Sequence, residues 1–194
     1  MMVQILTRQV CLAILPLWPL AGVFFVLCGL APGCRSALAA EGATPHSVFR
    51  WGTVTGQKLP HFASFRSDIV NLRRGPGTRY PIEWVYHRRL LPVEVLREFQ
   101  NWRLVRTHEG TTGWVYHALL SNHRSFLVTG GQVTLRHAPH PDARAVAHLQ
   151  QGVVGHLLHC AHGAAWCEAR ADGIKGYLPR VAIWGSYPDE AVDG

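Results

Sequence analysis

Residues 71–81 read NLRRGPGTRYP, and sixty-three positions later the chain opens the same way, with TLRHAP at 134–139. Asn71-Leu72-Arg73 answers to Thr134-Leu135-Arg136, and Gly75-Pro76 to Ala138-Pro139. Further along, Trp102 is matched by Trp166, and Gly110-x-x-Gly113-Trp114-Val115 by Gly173-x-x-Gly176-Tyr177-Leu178. The units even end alike, with HALL at 117–120 over VAIW at 181–184. Self-similarity at a fixed spacing is the mark of a structural unit written more than once. Two tandem copies of about 60 residues therefore organise the chain, over 61–123 and 124–187.

Each copy reads as short strands. LPVEVLREF (91–99) is rich in β-branched and aromatic residues, Gln100-Asn101 makes a tight turn, and WRLVRT (102–107) sets Trp102 and Leu104 against Arg103 and Val105. Period-two alternation with a turn every few residues argues for antiparallel strands over helices. The second copy follows suit: VVGHLLHC, a turn at 162–164, WCEARA, a turn at Asp172-Gly173, then GYLP. Pro76-Gly77 suits the middle of a type II turn, which needs a positive φ at its third residue.

Outside the repeats the chain changes character. Between Gln9 and Cys34 the only ionisable side chains are thiols, and the apolar run VCLAILPLWPLAGVFFVLCGLAPGC is followed by Ser36-Ala37-Leu38-Ala39-Ala40. A positive start at Arg8, an apolar middle and an A-x-A-like site make residues 1–40 a secretory signal, cleaved near Ala39 or Ala40. An uncleaved anchor is the alternative, since about 20 apolar residues span a bilayer. A lipid-modified Cys34 is a third reading, which Ala31 and Pro32 fit poorly. Glu41–Pro60 has no period and reads as a mostly flexible linker, in which Phe49 and Trp51 dock incidentally or meet a partner. Residues 188–194 read as a frayed tail. The expected compartment is the periplasm or cell exterior, with membrane contact only through an uncleaved leader.

Without the leader, 17 basic side chains face 12 acidic ones, a net charge of +5, and all the basic ones but Lys58 and Lys175 are arginines. Of the five cysteines only Cys160 and Cys167 remain. An even pair in an exported chain reads first as a disulfide. A two-residue turn at Gly163-Ala164 sets the two directly opposite on neighbouring strands, within bridging distance.

The order NLRRGPGTRYP, VEVLREFQNWRLVR, EGTTGWVYHALL resembles the bacterial SH3-type domains of exported proteins. TLRHAPHPDARAV…WCEARADGIKGYLPRVAIWG resembles a more divergent member of that family. The resemblance implies an all-β chain of two tandem small SH3-like β-barrels after the N-terminal signal segment. It also implies binding rather than catalysis, several relatives engaging peptidoglycan or its stem peptides.

Chemistry finds little footing. GPGTRYP is not a phosphate loop, and neither a G-x-S-x-G elbow nor an H-E-x-x-H zinc motif occurs. The disulfide removes the one thiol with histidines beside it. His156, His159 and His162 alternate across a strand and do not converge on an ion. No enzyme activity, cofactor or metal is therefore expected. Arg73, Arg74 and Arg79, with Tyr80, Trp84, Tyr86 and Trp114, make up the candidate ligand-binding set, suited to an anionic cell-wall peptide through charge-assisted pairing and ring contact. The plainer alternative puts Leu72, Trp102 and Trp114 in the core and has Arg73 donating to loop carbonyls. Aromatic-interleaved arginines also suit single-stranded nucleic acid, which an exported protein rarely meets. The expected partner is a cell-wall polymer or, as the runner-up, an envelope protein for which the barrels serve as an adaptor.

Overall fold

The computed structural model describes residues 50–193. The leader over 1–40 and residues 41–49 of the linker lie outside them. A short hairpin, β1 (Arg50–Trp51) and β2 (Lys58–Leu59), leads into the first barrel. That barrel runs β3 (His61–Phe65), β4 (Val70–Arg73), β5 (Ile82–Tyr86), β6 (Pro92–Phe99), β7 (Trp102–Arg106) and β8 (Thr112–Tyr116). A 3-10 turn at His117–Leu119 and β9 (Leu120–Ser121) complete it. The second barrel runs β10 (Ser125–Val128), β11 (Val133–Arg136), β12 (Ala145–Leu149), β13 (Val154–Cys160), β14 (Trp166–Ala171) and β15 (Ile174–Pro179). Its 3-10 turn is Arg180–Ala182, followed by β16 (Ile183–Trp184) and, past a short loop, β17 (Val192–Asp193).

The first sheet has the order β5-β4-β8-β7-β6-β3-β9 and the second β12-β11-β15-β14-β13-β10-β16, the same topology twice. Inward side chains such as Phe65, Leu72, Val105 and Val115 fill one barrel, and Phe126, Leu135, Leu157 and Leu178 the other. The glycine shared by the G-W and G-Y motifs has a steric cause. A Cβ on Gly113 would come 2.9 Å from Leu72 Cβ, and one on Gly176 would come 2.6 Å from the Arg136 carbonyl oxygen. Only glycine lets these strands cross so closely.

The barrels share apolar contacts. Leu127, from the second, belongs to the core of the first, and Val154 and Trp184 pack against it. The Phe62 ring meets Trp184 edge-on at 5.0 Å and Tyr187 at 4.8 Å. Arg124 grips Glu190 at 2.6 and 2.9 Å. Glu94, buried in β6, accepts hydrogen bonds from Arg106 and from the Tyr187 hydroxyl, the latter at 2.6 Å. A buried carboxylate so satisfied is tolerated where a bare one would not be.

The structure corrects several sequence-based expectations. Residues 50–59 are not plain linker: the hairpin is tied to the first barrel by Glu98, which accepts from the Val54 and Thr55 amides and the Thr55 hydroxyl. The tail is not frayed at 192–193, since β17 pairs with β13 and Val192 is buried. Gly77 does not take the positive φ of a type II turn; its amide donates to the Gly75 carbonyl, as His140 does to Ala138. That backbone path needs no glycine, which explains why His140 replaces Gly77. The Cys160–Cys167 disulfide is present, with Cα atoms 4.5 Å apart. Its hairpin, however, turns through Ala161–Ala164 with Gly163 third at φ 66°, rather than through a two-residue Gly163-Ala164 turn.

Candidate binding groove

Strand alternation places the bulky side chains. On β7 the inward positions are Arg103 and Val105, so Trp102 and Leu104 lie on the outer face, the reverse of a core reading of Trp102. An arginine is tolerated inside because its Nη1 donates to the Gln100 and Trp102 carbonyls and its Nε lies 3.5 Å from Glu98. On β8 the buried pair is Gly113 and Val115, which leaves Trp114 half-buried and Tyr116 exposed. Trp114 is therefore not a core residue either.

Cross-strand register then assembles an aromatic floor. Trp102 stands opposite Phe99 on β6 and opposite Tyr116 on β8. The Trp102 and Tyr116 rings meet at 5.7 Å and 68°. Phe99 is 49 % exposed and Tyr116 39 %. Opposite them stand Asn71, Arg73 and the Pro76–Arg79 loop, enclosing a groove of about 770 Å3.

Of the predicted set, Arg73 and Arg79 line this groove. Arg73 is chiefly a brace: its Nη1 donates to the Thr78 and Tyr80 carbonyls at 3.0 and 2.7 Å. Arg136 does the same to Ala143 at 2.6 Å, which accounts for the repeated arginine. Arg79 lies 5.4 Å over the Tyr80 ring, and that ring fills the space where a Cβ on Gly75 would stand. Arg74 pairs with Glu83 at 2.9 Å, away from the groove. Tyr86 packs on Phe65 at 5.6 Å. Trp84 projects from the edge strand β5, 57 % exposed, and Trp114 sits opposite Arg73 in register without reaching the groove. The structure therefore does not gather the seven residues into one site.

Phe99, Trp102 and Tyr116 were the residues that sequence reading missed as a group. A signal for them existed in the repeat. The second copy keeps the tryptophan as Trp166, but Ala161, which follows Cys160 as Phe99 follows Glu98, and Pro179 take the places beside it. The fold therefore does not require Phe99 or Tyr116.

A family model described as bacterial SH3 domain matches residues 66–122 and 129–185. Two solved structures from Trichomonas vaginalis, NlpC2 and NlpC1, show similarity at 12 % and 10 % identity, with TM-scores of 0.31 and 0.30. The matches cover 70 % of this chain and 51 % and 49 % of those, so the chain spans about half their length. A comparison with curated proteins finds no match.

Proposed function

The chain belongs to the bacterial SH3 domain family, and from that premise we propose that it is an exported, non-catalytic binding module whose first barrel holds a cell-envelope ligand, peptidoglycan foremost. The observation that carries this reading is the Phe99–Trp102–Tyr116 floor, with Phe99 and Tyr116 exposed in this copy and absent from the other. Exposed aromatics around a concave surface supply contact area at low entropic cost, and the Asn71 and Arg79 side chains can donate to peptide carbonyls and carboxylates above it. Export is supported by the leader sequence together with the disulfide, a bond suited to an oxidising compartment. The absence of catalysis is supported by that same bond, which occupies both mature cysteines.

Sedimentation with purified sacculi tests the reading. The leaderless chain is retained at moderate salt, and Phe99→Ala with Tyr116→Ala releases it. Failure of the wild-type chain to sediment would remove peptidoglycan as the ligand.

A second reading, an adaptor for an envelope protein, is favoured by one feature. Edge strand β5 exposes Ile82, Trp84 and Val85 where β12 has Ala145, Ala147 and His148. An exposed apolar edge can accept an added strand. Crosslinking from position 84 to an envelope protein, without sacculus retention, would favour it.

A further inference from the structure

In the second barrel the 3-10 turn after β15 carries Arg180, whose Nη1 donates to the carbonyls of Tyr187, Pro188 and Glu190 at 2.6, 2.7 and 2.9 Å. The Glu190 carboxylate lies on Arg124 at 2.6 and 2.9 Å and also accepts the Tyr187 amide. The turn Tyr187–Glu190, sequence YPDE, is thus an acidic peptide held by basic residues of the barrel that precedes it.

The repeat identifies the same surface in the first barrel. Arg66 donates its amide to Leu119 at 2.8 Å, as Thr129 does to Ala182 at 3.2 Å. His117 donates to Asn101 at 2.9 Å, as Arg180 does to Ala165 at 2.8 Å. His117 is therefore the counterpart of Arg180, and by the same spacing His61 is the counterpart of Arg124. Both histidines line a cleft of about 810 Å3, with Thr55 and Gln57 of the β1–β2 hairpin at its rim.

The cleft is strongly basic. Arg66 and Arg89 line it, and among the described residues neither guanidinium has a hydrogen-bond or ion-pair partner. Arg103, buried at its wall, spends Nη1 and Nε on Gln100, Trp102 and Glu98 and makes no hydrogen bond through Nη2. His123 and His156 add ring nitrogens. The one carboxylate in the lining, Asp193, is paired with His159 at 2.8 Å. Burial holds His61 below the usual imidazole range, against its hydrogen bond to the Lys58 carbonyl, so the fixed positive charge comes from the arginines.

We propose that this cleft binds a carboxylate-bearing peptide segment in trans, filling in the first barrel the place that Tyr187–Glu190 fills in the second. The site lies apart from the aromatic groove and does not depend on it. Guanidinium–carboxylate pairing in a partly enclosed cleft supplies the affinity, as Arg124 does for Glu190 in the second barrel. Here His61 and His117 stand at the places of Arg124 and Arg180, and the guanidinium groups come from Arg66 and Arg89 beside them.

The test titrates the peptide SYPDEAVD, the sequence of residues 186–193, into the leaderless chain by calorimetry. Saturable binding is expected, with none for SYPNQAVN. Arg66→Gln with Arg89→Gln is expected to weaken binding by about tenfold or more, from the loss of two charge-assisted contacts. These arginines are exposed and hold nothing else, and an unchanged melting temperature confirms that the double variant folds. No saturable binding of the acidic peptide, equal binding of the neutral one, or unchanged affinity in the variant would overturn the proposal. A muropeptide that displaces SYPDEAVD assigns the natural carboxylates to wall stem peptides, and one that does not assigns them to a protein segment. Sacculus retention follows Phe99 and Tyr116 while this binding follows Arg66 and Arg89, so either reading can fail alone.

Discussion

Tyr187 donates its hydroxyl to Glu94 across 2.6 Å, joining the turn after the second barrel to a buried carboxylate on a central strand of the first. Burial, and then this hydrogen bond, push the phenol far above the usual tyrosine range, so it stays a donor throughout the stable pH range. Tyr187→Phe keeps the ring against Phe62 but leaves one Glu94 oxygen without that donor. The expected cost is about 2 kcal/mol, the value of a hydrogen bond to a charged group. Thermal unfolding reads it as a fall of several degrees, and an unchanged midpoint would refute it.

The disulfide should matter even though its loop is short. Cys160 and Cys167 are seven positions apart, and closing so small a loop is worth about 2.5 kcal/mol in the chain-entropy model. The first barrel has no such bridge and places Arg103 and its carbonyl partners at the matching position of β7. Reduction should therefore lower the stability of the second barrel first. Hydrogen exchange of β13 and β14, compared with β6 and β7 before and after reduction, checks the order.

How far the sequence spoke for itself depended on whether a feature was repeated. Topology and the glycine before Trp114 were legible because two copies agreed on them, and the cysteine pairing because only two cysteines follow the leader and a hairpin sets them opposite. The groove was not, because its aromatics are where the copies disagree, and a search for agreement passes over them. Arg103 misled for another reason: alternation assigns a charged residue outward, whereas two backbone carbonyls and Glu98 pay for its burial here. Nor could the sequence show that Glu98 waits for the Val54 and Thr55 amides, a contact across more than forty residues.

Arg73 and Arg136 should be fold residues first. Each reaches a carbonyl seven positions ahead, fixing the loop that follows its strand. Arg73→Lys loses the planar donor geometry while keeping the charge, and should cost about 1 kcal/mol. Arg136→Lys should cost a similar amount although the second barrel lacks the aromatic groove. A loss confined to ligand binding, with stability untouched in both, would return Arg73 to the ligand set.

Phe99→Ala copies the second barrel's own residue at that point, Ala161, and removes a side chain that is about half exposed. Stability should change by only about 0.5 kcal/mol, as for other surface substitutions. Retention on sacculi should fall far more than that change explains. Equal loss of folding and retention would show that Phe99 serves the fold alone.

Acid should loosen both ends of the described chain. Burial by itself would raise the carboxyl of Glu98, but the Thr55 hydroxyl, the Val54 and Thr55 amides and Arg103 outweigh it and hold the group below its ordinary 4.5. Burial likewise opposes Glu190, where Arg124, the Tyr187 amide and Arg180 prevail. With folded values below the unfolded one, the unfolded chain takes up protons first as pH falls. The contribution of these pairs is therefore complete above the ordinary carboxyl value and drains away as pH drops through the depressed ones. Urea unfolding at neutral pH and near pH 3 should show the loss. Glu98→Gln and Glu190→Gln should each be less stable than the wild type at neutral pH and lose less on acidification, and a wild-type acid slope retained in both variants would place the sensitive groups elsewhere.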